Sequence, residues 1–378
     1  MKGIAMNWNT LDFVVRSLVS WFVRARHAES WIFRGAVAAL VAIHGANWVF
    51  KYSGTIGGES GSIEFGTAGA VPDSILWIIT VVCIALMLGS AVWAWIRYAN
   101  EQKRLARKKV FVIEGRGLRD DDGSSLKSAV PESITGTRID YMLDLRQRKD
   151  GVIVEPEDLL PPVAAMKTWV HQAQKGNERS DLTTVYGGLT AVPLTFLTGL
   201  LLDDEGDIVV MDWDRVASRW RLLDGQDDAS RFEITGMEQA GAQREVVLAI
   251  SASYMVKTED LATTFDCPIV RMTLPDLQSS HWSQARQSEL ADQFLGVLKK
   301  LDAMGVEQVH LVLAAQNSVV FNLARRYDKR NLPRVAVYQF ERSQERRYPW
   351  GIEMPVAGVN VARVIQTDEG AARFPERT

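Results

Sequence analysis

Two short segments carry the residue types that bond phosphate and ribose. After the apolar run Tyr141–Leu145 come Arg146, Gln147 and Arg148, and after the run Val246–Ile250 come Ser251, Ala252, Ser253 and Tyr254. An arginine fork reaches a phosphate through parallel N–H donors, and hydroxyls serve phosphate and ribose oxygens alike. A second pair of segments holds helix-start residues: Tyr186, Gly187, Gly188 and Thr190 before one apolar stretch, Gln316, Asn317 and Ser318 before another. Such residues cap the free amides of a helix N-terminus, so each is either a cap or a ligand contact. Arg146 and Arg148 are likewise either phosphate ligands or a solvated basic turn. Trp213, Tyr254, Phe340 and Trp350 either stack on nucleobases or pack in a core. Arg342, Arg346 and Arg347 follow the last repeated strand and either close over phosphates or stay as surface charge.

Residues for covalent chemistry do not assemble in this way. The chain has no GxxxxGK[ST] phosphate loop, no GxSxG elbow and no HExxH pair. Asp203, Asp204 and Glu205 sit in an apparent turn, and Asp212 and Asp214 flank Trp213 without a second acidic cluster or a base. The cysteines, Cys83 and Cys267, are two in number and the five histidines are scattered singly, so neither a disulfide framework nor a zinc site is expected. The reading is a non-enzyme without a metal or other cofactor. Its 43 basic and 46 acidic residues give a net charge of -3, which does not point to duplex nucleic acid as a partner.

The elements that position the phosphate-binding types alternate. Strand candidates at Tyr141–Leu145, Ile208–Met211, Val246–Ile250, Val309–Leu313 and Val335–Tyr338 are separated by helix candidates such as Pro162–Gln174 and Ser283–Met304. Strands alternating with helices indicate a parallel sheet. The order repeats. Leu189, Ala191 and Pro193 fall opposite Leu313, Ala315 and Asn317, Leu197 falls opposite Phe321, and IVVMDWD opposite VAVYQFE; upstream, YMLDLRQR at Tyr141 resembles VVLAISAS at Val246. Two copies of one doubly wound plan are expected. In such sheets ligands bind beyond the carboxyl ends of the strands, where helix N-termini present amides suited to phosphate. Two halves side by side would form a composite pocket for a cyclic molecule with repeated phosphates.

Ahead of this α/β region lie two membrane-span candidates. Ile75–Ile96, ILWIITVVCIALMLGSAVWAWI, carries no charge and is flanked by Trp77, Trp93 and Trp95, which suits a span of about 20 apolar residues with interfacial aromatics. Trp31–Phe50 is interrupted by Arg34, His44 and Asn47, and its Ala38, Ala42 and Ala46 form a smooth stripe for another helix. His44 and Asn47 share a face, and either line a pore in an oligomer or hydrogen-bond between helices. Leu11–Arg26 is either an interfacial amphipathic helix or an extension of the first span. Arg16, Arg24, Arg26 and Arg34 precede the first span and Lys103, Arg104, Arg107, Lys108 and Lys109 follow the second, whereas the intervening loop holds Lys51 alone. The positive-inside rule then puts both termini in the cytoplasm.

The C-terminal run HLVLAAQNSVVFNLARRYDKRNLPRVAVYQFE, followed by Tyr348-Pro349, resembles the SAVED domain, as does its upstream copy. The resemblance spans roughly Arg138 to Pro355 and implies two fused CARF-like (Rossmann-like) halves. It also implies a ligand: a cyclic di-, tri- or tetranucleotide made by a partner nucleotidyltransferase in bacterial antiphage systems such as CBASS. Two transmembrane helices ahead of the sensor match a membrane-effector layout. There, ligand controls self-association and disruption of the inner-membrane bilayer, leading to abortive infection; in related inverted systems the ligand represses.

The expected organisation is a cytoplasmic segment over 1–30, spans over 31–50 and 74–97 around a periplasmic loop over 51–73, a basic segment and linker over 98–137, and the sensor over 138–378. The other reading of the same layout is a membrane-anchored receptor or scaffold that signals to a separate effector.

Overall fold

The computed structural model of the chain describes residues 28–45, 50–56, 59–65, 73–117, 124–149, 152–203, 206, 208–241, 243–277, 280–356, 358–359 and 361–367. The chain divides into two compact units, Met1–Leu105 and Ala106–Thr378.

In the first unit, helix α1 (Ala28–Gly45) is followed by an antiparallel hairpin of β1 (Phe50–Ile56) and β2 (Glu59–Phe65), in register from Phe50↔Phe65 to Ile56↔Glu59. The segment expected to be a loop thus contains paired strands. Helix α2 (Asp73–Arg107) runs for 35 residues, about 50 Å at 1.5 Å per residue. Among the described residues it is the one helix long and apolar enough to cross a membrane. Its side chains include exposed Trp77, Ile78, Leu88 and Trp95, the outward apolar surface that lipid accommodates and water penalises. Glu29, Arg34 and His44 dilute the apolar character of α1, which has 18 residues. Glu29 of α1, buried, meets Arg97 of α2 at 2.6 Å. Leu11–Arg26 and Asn47 lie outside the described residues, as does the side chain of His44.

The second unit begins with β3 (Lys109–Arg116), the polar crossover holding the one-turn helix α3 (Leu126–Ala129), and β4 (Thr137–Asp144). A small hairpin of β5 (Arg148–Lys149) and β6 (Val152–Ile153) leads to α4 (Leu160–Gln174), β7 (Leu182–Leu189), α5 (Val192–Leu201), β8 (Ile208–Asp214) and β9 (Arg219–Leu222). The five larger strands form one sheet in the order β4-β3-β7-β8-β9, parallel except for β9. After β10 (Glu233–Thr235) the plan returns: β11 (Glu245–Ser251), α6 (Thr258–Ala262), β12 (Ile269–Thr273), α7 (Gln284–Ala303), β13 (Gln308–Ala314), α8 (Asn317–Ala324), β14 (Arg334–Gln339), β15 (Trp350–Glu353) and β16 (Arg363–Gln366). This sheet has the order β10-β12-β11-β13-β14-β15-β16, with β12, β11, β13 and β14 parallel.

The shared order, second-first-third-fourth-fifth strand, makes β3 the counterpart of β11 and β4 that of β12. Two expectations change as a result. The repeat does not pair Tyr141 with Val246: β4, which contains Tyr141, is an edge strand, whereas β11 is central. Nor is 98–137 a linker. Its first part completes α2, and Val110, Phe111, Val112 and Ile113 of β3 are buried between parallel neighbours on both sides. A strand apolar on both faces reads as a parallel-sheet core, so the sheet starts well before Arg138.

The halves meet through α5 and α8. The α5 sequence VPLTFLTGLL carries no charge, has Pro in its first turn and is buried from Pro193 through Leu200. A helix apolar all round must be enclosed. Gly199 sets the spacing: a Cβ there would lie 2.6 Å from the Phe321 carbonyl oxygen and 2.8 Å from Ala324 Cβ. Across this contact Tyr186 and Phe321 stack, and Phe196 meets Phe294 edge-on at 6.3 Å.

Candidate ligand site at the junction of the two halves

The carboxyl ends of β3, β4 and β7 converge in the first half. Gly117 lies where a Cβ would be 2.9 Å from Thr190 Cα and 3.2 Å from the Leu145 carbonyl oxygen, so three strand ends close in on one point. Arg116 at the end of β3 bonds Glu114 Oε1 at 2.7 Å, and Glu114 in turn accepts the Leu126 amide at 2.7 Å. Arg146, just beyond β4, grips Asp144 with Nε and Nη2 at 2.9 and 3.0 Å. That hydrogen-bonded guanidinium, helped by Lys149, holds the Asp144 carboxyl down to about 2.

In the second half, β11 ends at buried Ser251, whose Oγ accepts the Val256 amide at 3.1 Å; the Ser253 amide donates to the Ala314 carbonyl at 2.9 Å. Ala252, Leu274, His281, Arg286, Gln287, Leu290, Gln316 and Val319 surround a cavity of about 10 Å³, one water in size. Ser318 is buried, its Oγ accepting from Gln287 at 3.0 Å, and Gln287 also accepts from Asn322 at 2.7 Å.

Between the halves the polar groups cross. The Thr190 amide donates to Asn317 Oδ1 at 3.0 Å, and the Thr195 hydroxyl to the same oxygen at 2.7 Å. The Val192 amide donates to Gln339 Oε1 at 3.1 Å and the Ser318 amide to Asp212 Oδ2 at 3.2 Å. His281 Nε2 stands 3.5 Å from the same Asp212 oxygen. The helix starts expected to offer free amides to a phosphate are therefore capped by side chains of the opposite half.

Thr190, Gln316, Asn317 and Ser318 are thus brought together, with Ser251 and Ser253 beside them and Arg146 at the first-half edge. Arg148 lies exposed on the β5–β6 hairpin, Tyr254 is 73% exposed, and Arg342 is exposed beyond β14. Tyr186 departs from its expected role. It is 1% exposed and stacked on Phe321, and burial, with the Asp212 carboxylate adding to it, pushes its phenol well above the ordinary range. Trp350 is also core, whereas Trp213 packs on Trp220 at 5.4 Å and Phe340 on Tyr348 at 5.6 Å. Arg346 donates to the Thr367 carbonyl and Arg347 to that of Arg342.

Asp212, Gln339, His281, Gln287 and Arg116 were not anticipated as part of the site. The alignment of IVVMDWD with VAVYQFE places Asp212 opposite Gln339, which was the available signal for those two. Arg116 ends β3, inside the segment over 98–137 expected to be a linker. Among the described residues, no group of three or more His, Cys, Asp and Glu side chains is arranged to hold a metal ion. What the junction offers is amide, hydroxyl and guanidinium hydrogen bonding.

Residues 8–160 match the family described as the SAVED-fused 2TM effector domain, and residues 165–354, half of the chain, match the SMODS-associated and fused to various effectors sensor domain. No curated protein matches the chain. Among solved structures, the chain is similar to the Acinetobacter baumannii Cap4 SAVED/CARF-domain containing receptor with the cyclic trinucleotide 2'3'3'-cAAA, at 10% identity and a TM-score of 0.45 over 73% of this chain and 59% of that one. The same receptor with 3'3'3'-cAAA gives 11% and 0.44 over 73% and 59%. The Moraxella osloensis Cap4 receptor gives 11% and 0.40 over 66% and 49%. The chain spans about 59% of the length of the Acinetobacter receptor. By the two domain matches, which follow one another along the chain, it belongs to the SAVED family, with a SAVED-fused 2TM effector domain ahead of a SAVED sensor domain.

Proposed function

We propose that this chain is a membrane effector of antiphage defence whose sensor binds a cyclic oligonucleotide between its two halves and thereby controls self-association and disruption of the inner membrane. The observation that carries the reading is the convergence of both sets of strand carboxyl ends on one polar junction, in a chain whose α2 is long and apolar enough to span a bilayer. Arg146 and Arg148 would pair with phosphates from the first half, and Ser251, Ser253, Gln316, Asn317 and Ser318 would bond phosphate or ribose from the second. Thr190 lies between them. Tyr254 and Phe340 are exposed enough to stack on bases, and Arg342 would close over the ligand.

In the membrane part, α1 and α2 would both span, with the β1–β2 hairpin outside and both termini in the cytoplasm, as the basic flanks require. Helix α2 leaves its apolar stretch without a break and ends at Arg107, two residues before β3 begins. A rearrangement of the sensor would reach the bilayer through that connection. His44 and Asn47 would meet between helices or along a pore. A partner nucleotidyltransferase would supply the ligand, and the chain itself would need no catalytic group and no cofactor.

The test is a thermal-shift screen of the full-length protein in nanodiscs with cyclic di-, tri- and tetranucleotides in 3′–5′ and 2′–5′ linkages, including both cyclic triadenylates. Ligand at 100 times its dissociation constant adds about 2.7 kcal/mol to stability. A hit accompanied by a change in oligomer mass supports the effector reading; no hit overturns it. Replacing both helices with an unrelated anchor should abolish toxicity, and retained function would favour the anchored-receptor reading.

A further inference from the structure

The hydrogen bonds between the halves are reciprocal. Asp212 lies near the end of β8 in the first half, and its carboxylate caps the start of α8 in the second through the Ser318 amide, at 3.2 Å. Gln339 ends β14 in the second half, and its side-chain carbonyl caps the start of α5 in the first through the Val192 amide, at 3.1 Å. The sequence repeat puts these two residues at the same position of their copies. Asn317 adds a third crossing bond by accepting the Thr190 amide at 3.0 Å, and it is held in place by the Thr195 hydroxyl at 2.7 Å. Each half thus closes the other's helix start with a side chain from the equivalent strand.

These amides stand at the strand carboxyl ends, where an anionic ligand would find its backbone donors. With all three already bonded to side chains of the opposite half, a ligand that reaches them exchanges one set of bonds for another. We propose that Asp212, Gln339 and Asn317 form a clasp that holds the ligand-free sensor closed and that the ligand must open to bind. This deepens the proposed function and rests on its reading of the junction as the cyclic-oligonucleotide site. The clasp sets the affinity threshold, because opening it releases each half from the other's helix start.

A clasp has a signature that separates it from two simpler roles. Loss of a purely structural bond lowers stability and leaves affinity unchanged. Loss of a ligand contact lowers affinity. Loss of a bond that competes with ligand lowers the stability of the free protein and raises affinity. One neutral hydrogen bond corresponds to a change of about fivefold.

The experiment compares full-length wild type with Gln339→Met, which keeps length but removes the acceptor, and with Thr195→Val. Thr195 is fully buried, so its variant loosens Asn317 from behind without removing a side chain that would face the ligand, and it gives a second reading if Gln339→Met does not fold. Each is titrated with the same cyclic-nucleotide panel by thermal shift and calorimetry. The expected result is a lower midpoint without ligand together with binding about fivefold tighter for Gln339→Met, and a change in the same direction for Thr195→Val. Equal or weaker binding by variants of a wild type that binds overturns the clasp and leaves the proposed function standing. No binding by any of the three proteins overturns that function, and the clasp with it.

Discussion

Tyr186 of the first half lies flat on Phe321 of the second, with ring centroids 3.8 Å apart and planes 11° from parallel. The pair joins the strand that feeds the first helix start to the helix that begins at the second. Both rings are among the largest fully buried side chains. Tyr186→Ala and Phe321→Ala should each destabilise the protein by about 3–5 kcal/mol. The double variant should fall short of the sum by about 1 kcal/mol, the coupling of a stacked pair. Denaturant unfolding of the full-length protein and its three variants measures this; strict additivity would mean that the rings pack independently.

Gly199 is the second fixed point of the junction. With the Phe321 carbonyl and Ala324 Cβ both under 3 Å from where its Cβ would sit, Gly199→Val has to push α5 away from α8. The expected loss is about 1–3 kcal/mol. Protease digestion should also become faster between the halves, at 223–245, before global unfolding. Wild-type stability in this variant would show that the helices can separate without cost.

Asp144 makes the sensor acid-sensitive in a defined window. Its folded carboxyl is held at about 2, chiefly by the Arg146 guanidinium, against an ordinary value of 3.8. A depressed carboxylate contributes stability above its unfolded value and loses it as pH falls through the folded one. The melting temperature should therefore drop between about pH 4 and about pH 2, and Asp144→Asn should flatten that part of the curve. The pair is one-third exposed, so the change is small and should shrink further in high salt. An unchanged slope in Asp144→Asn would assign the acid response to other carboxylates.

Leu88 lies midway along the apolar part of α2 and is exposed. An arginine at the centre of a span costs about 2.5–3.5 kcal/mol in insertion. Leu88→Arg should shift the protein from the membrane pellet to the supernatant or to degradation, whereas Leu88→Phe should stay in the pellet. Equal fractionation of both would place α2 outside the bilayer.

The periodic and compositional features survived well. The uncharged run Ile75–Ile96 lies on α2, and the strands read at Ile208, Val246, Val309 and Val335 lie within β8, β11, β13 and β14. The strand β3, which holds VFVIEG, falls inside the segment over 98–137 expected to be a linker. Buried on both faces, it has no alternation to show which neighbours it pairs with, and the polar crossover after it looked like a linker. That misplacement shifted the repeat by one strand and put Arg146 opposite Ser251, whereas the topology pairs the β3 end, at Arg116 and Gly117, with the end of β11.

The side chains of the site divide along the same line. Asn317 and Ser318 are legible as helix-start residues by type alone, yet neither caps its own helix: Asn317 accepts the Thr190 amide and Ser318 accepts from Gln287. Tyr186 was misjudged because position in the chain reveals that a tyrosine precedes a helix start, not that Phe321, 135 residues later, covers it.

The sequence by itself determined the local and repeated properties: an apolar span with basic flanks, alternating strands and helices, two copies of one plan, and polar residues where helices begin. Each depends on neighbours a few residues away or on comparison of one copy with the other. Only the tertiary structure decided which strand sits at the centre of each sheet, which aromatic rings are buried, and that Asp212, Gln339 and Asn317 close helix starts more than a hundred residues distant. Those bonds depend on how two enclosed helices, α5 and α8, pack at Gly199, and no local pattern encodes the partner that a buried face will meet.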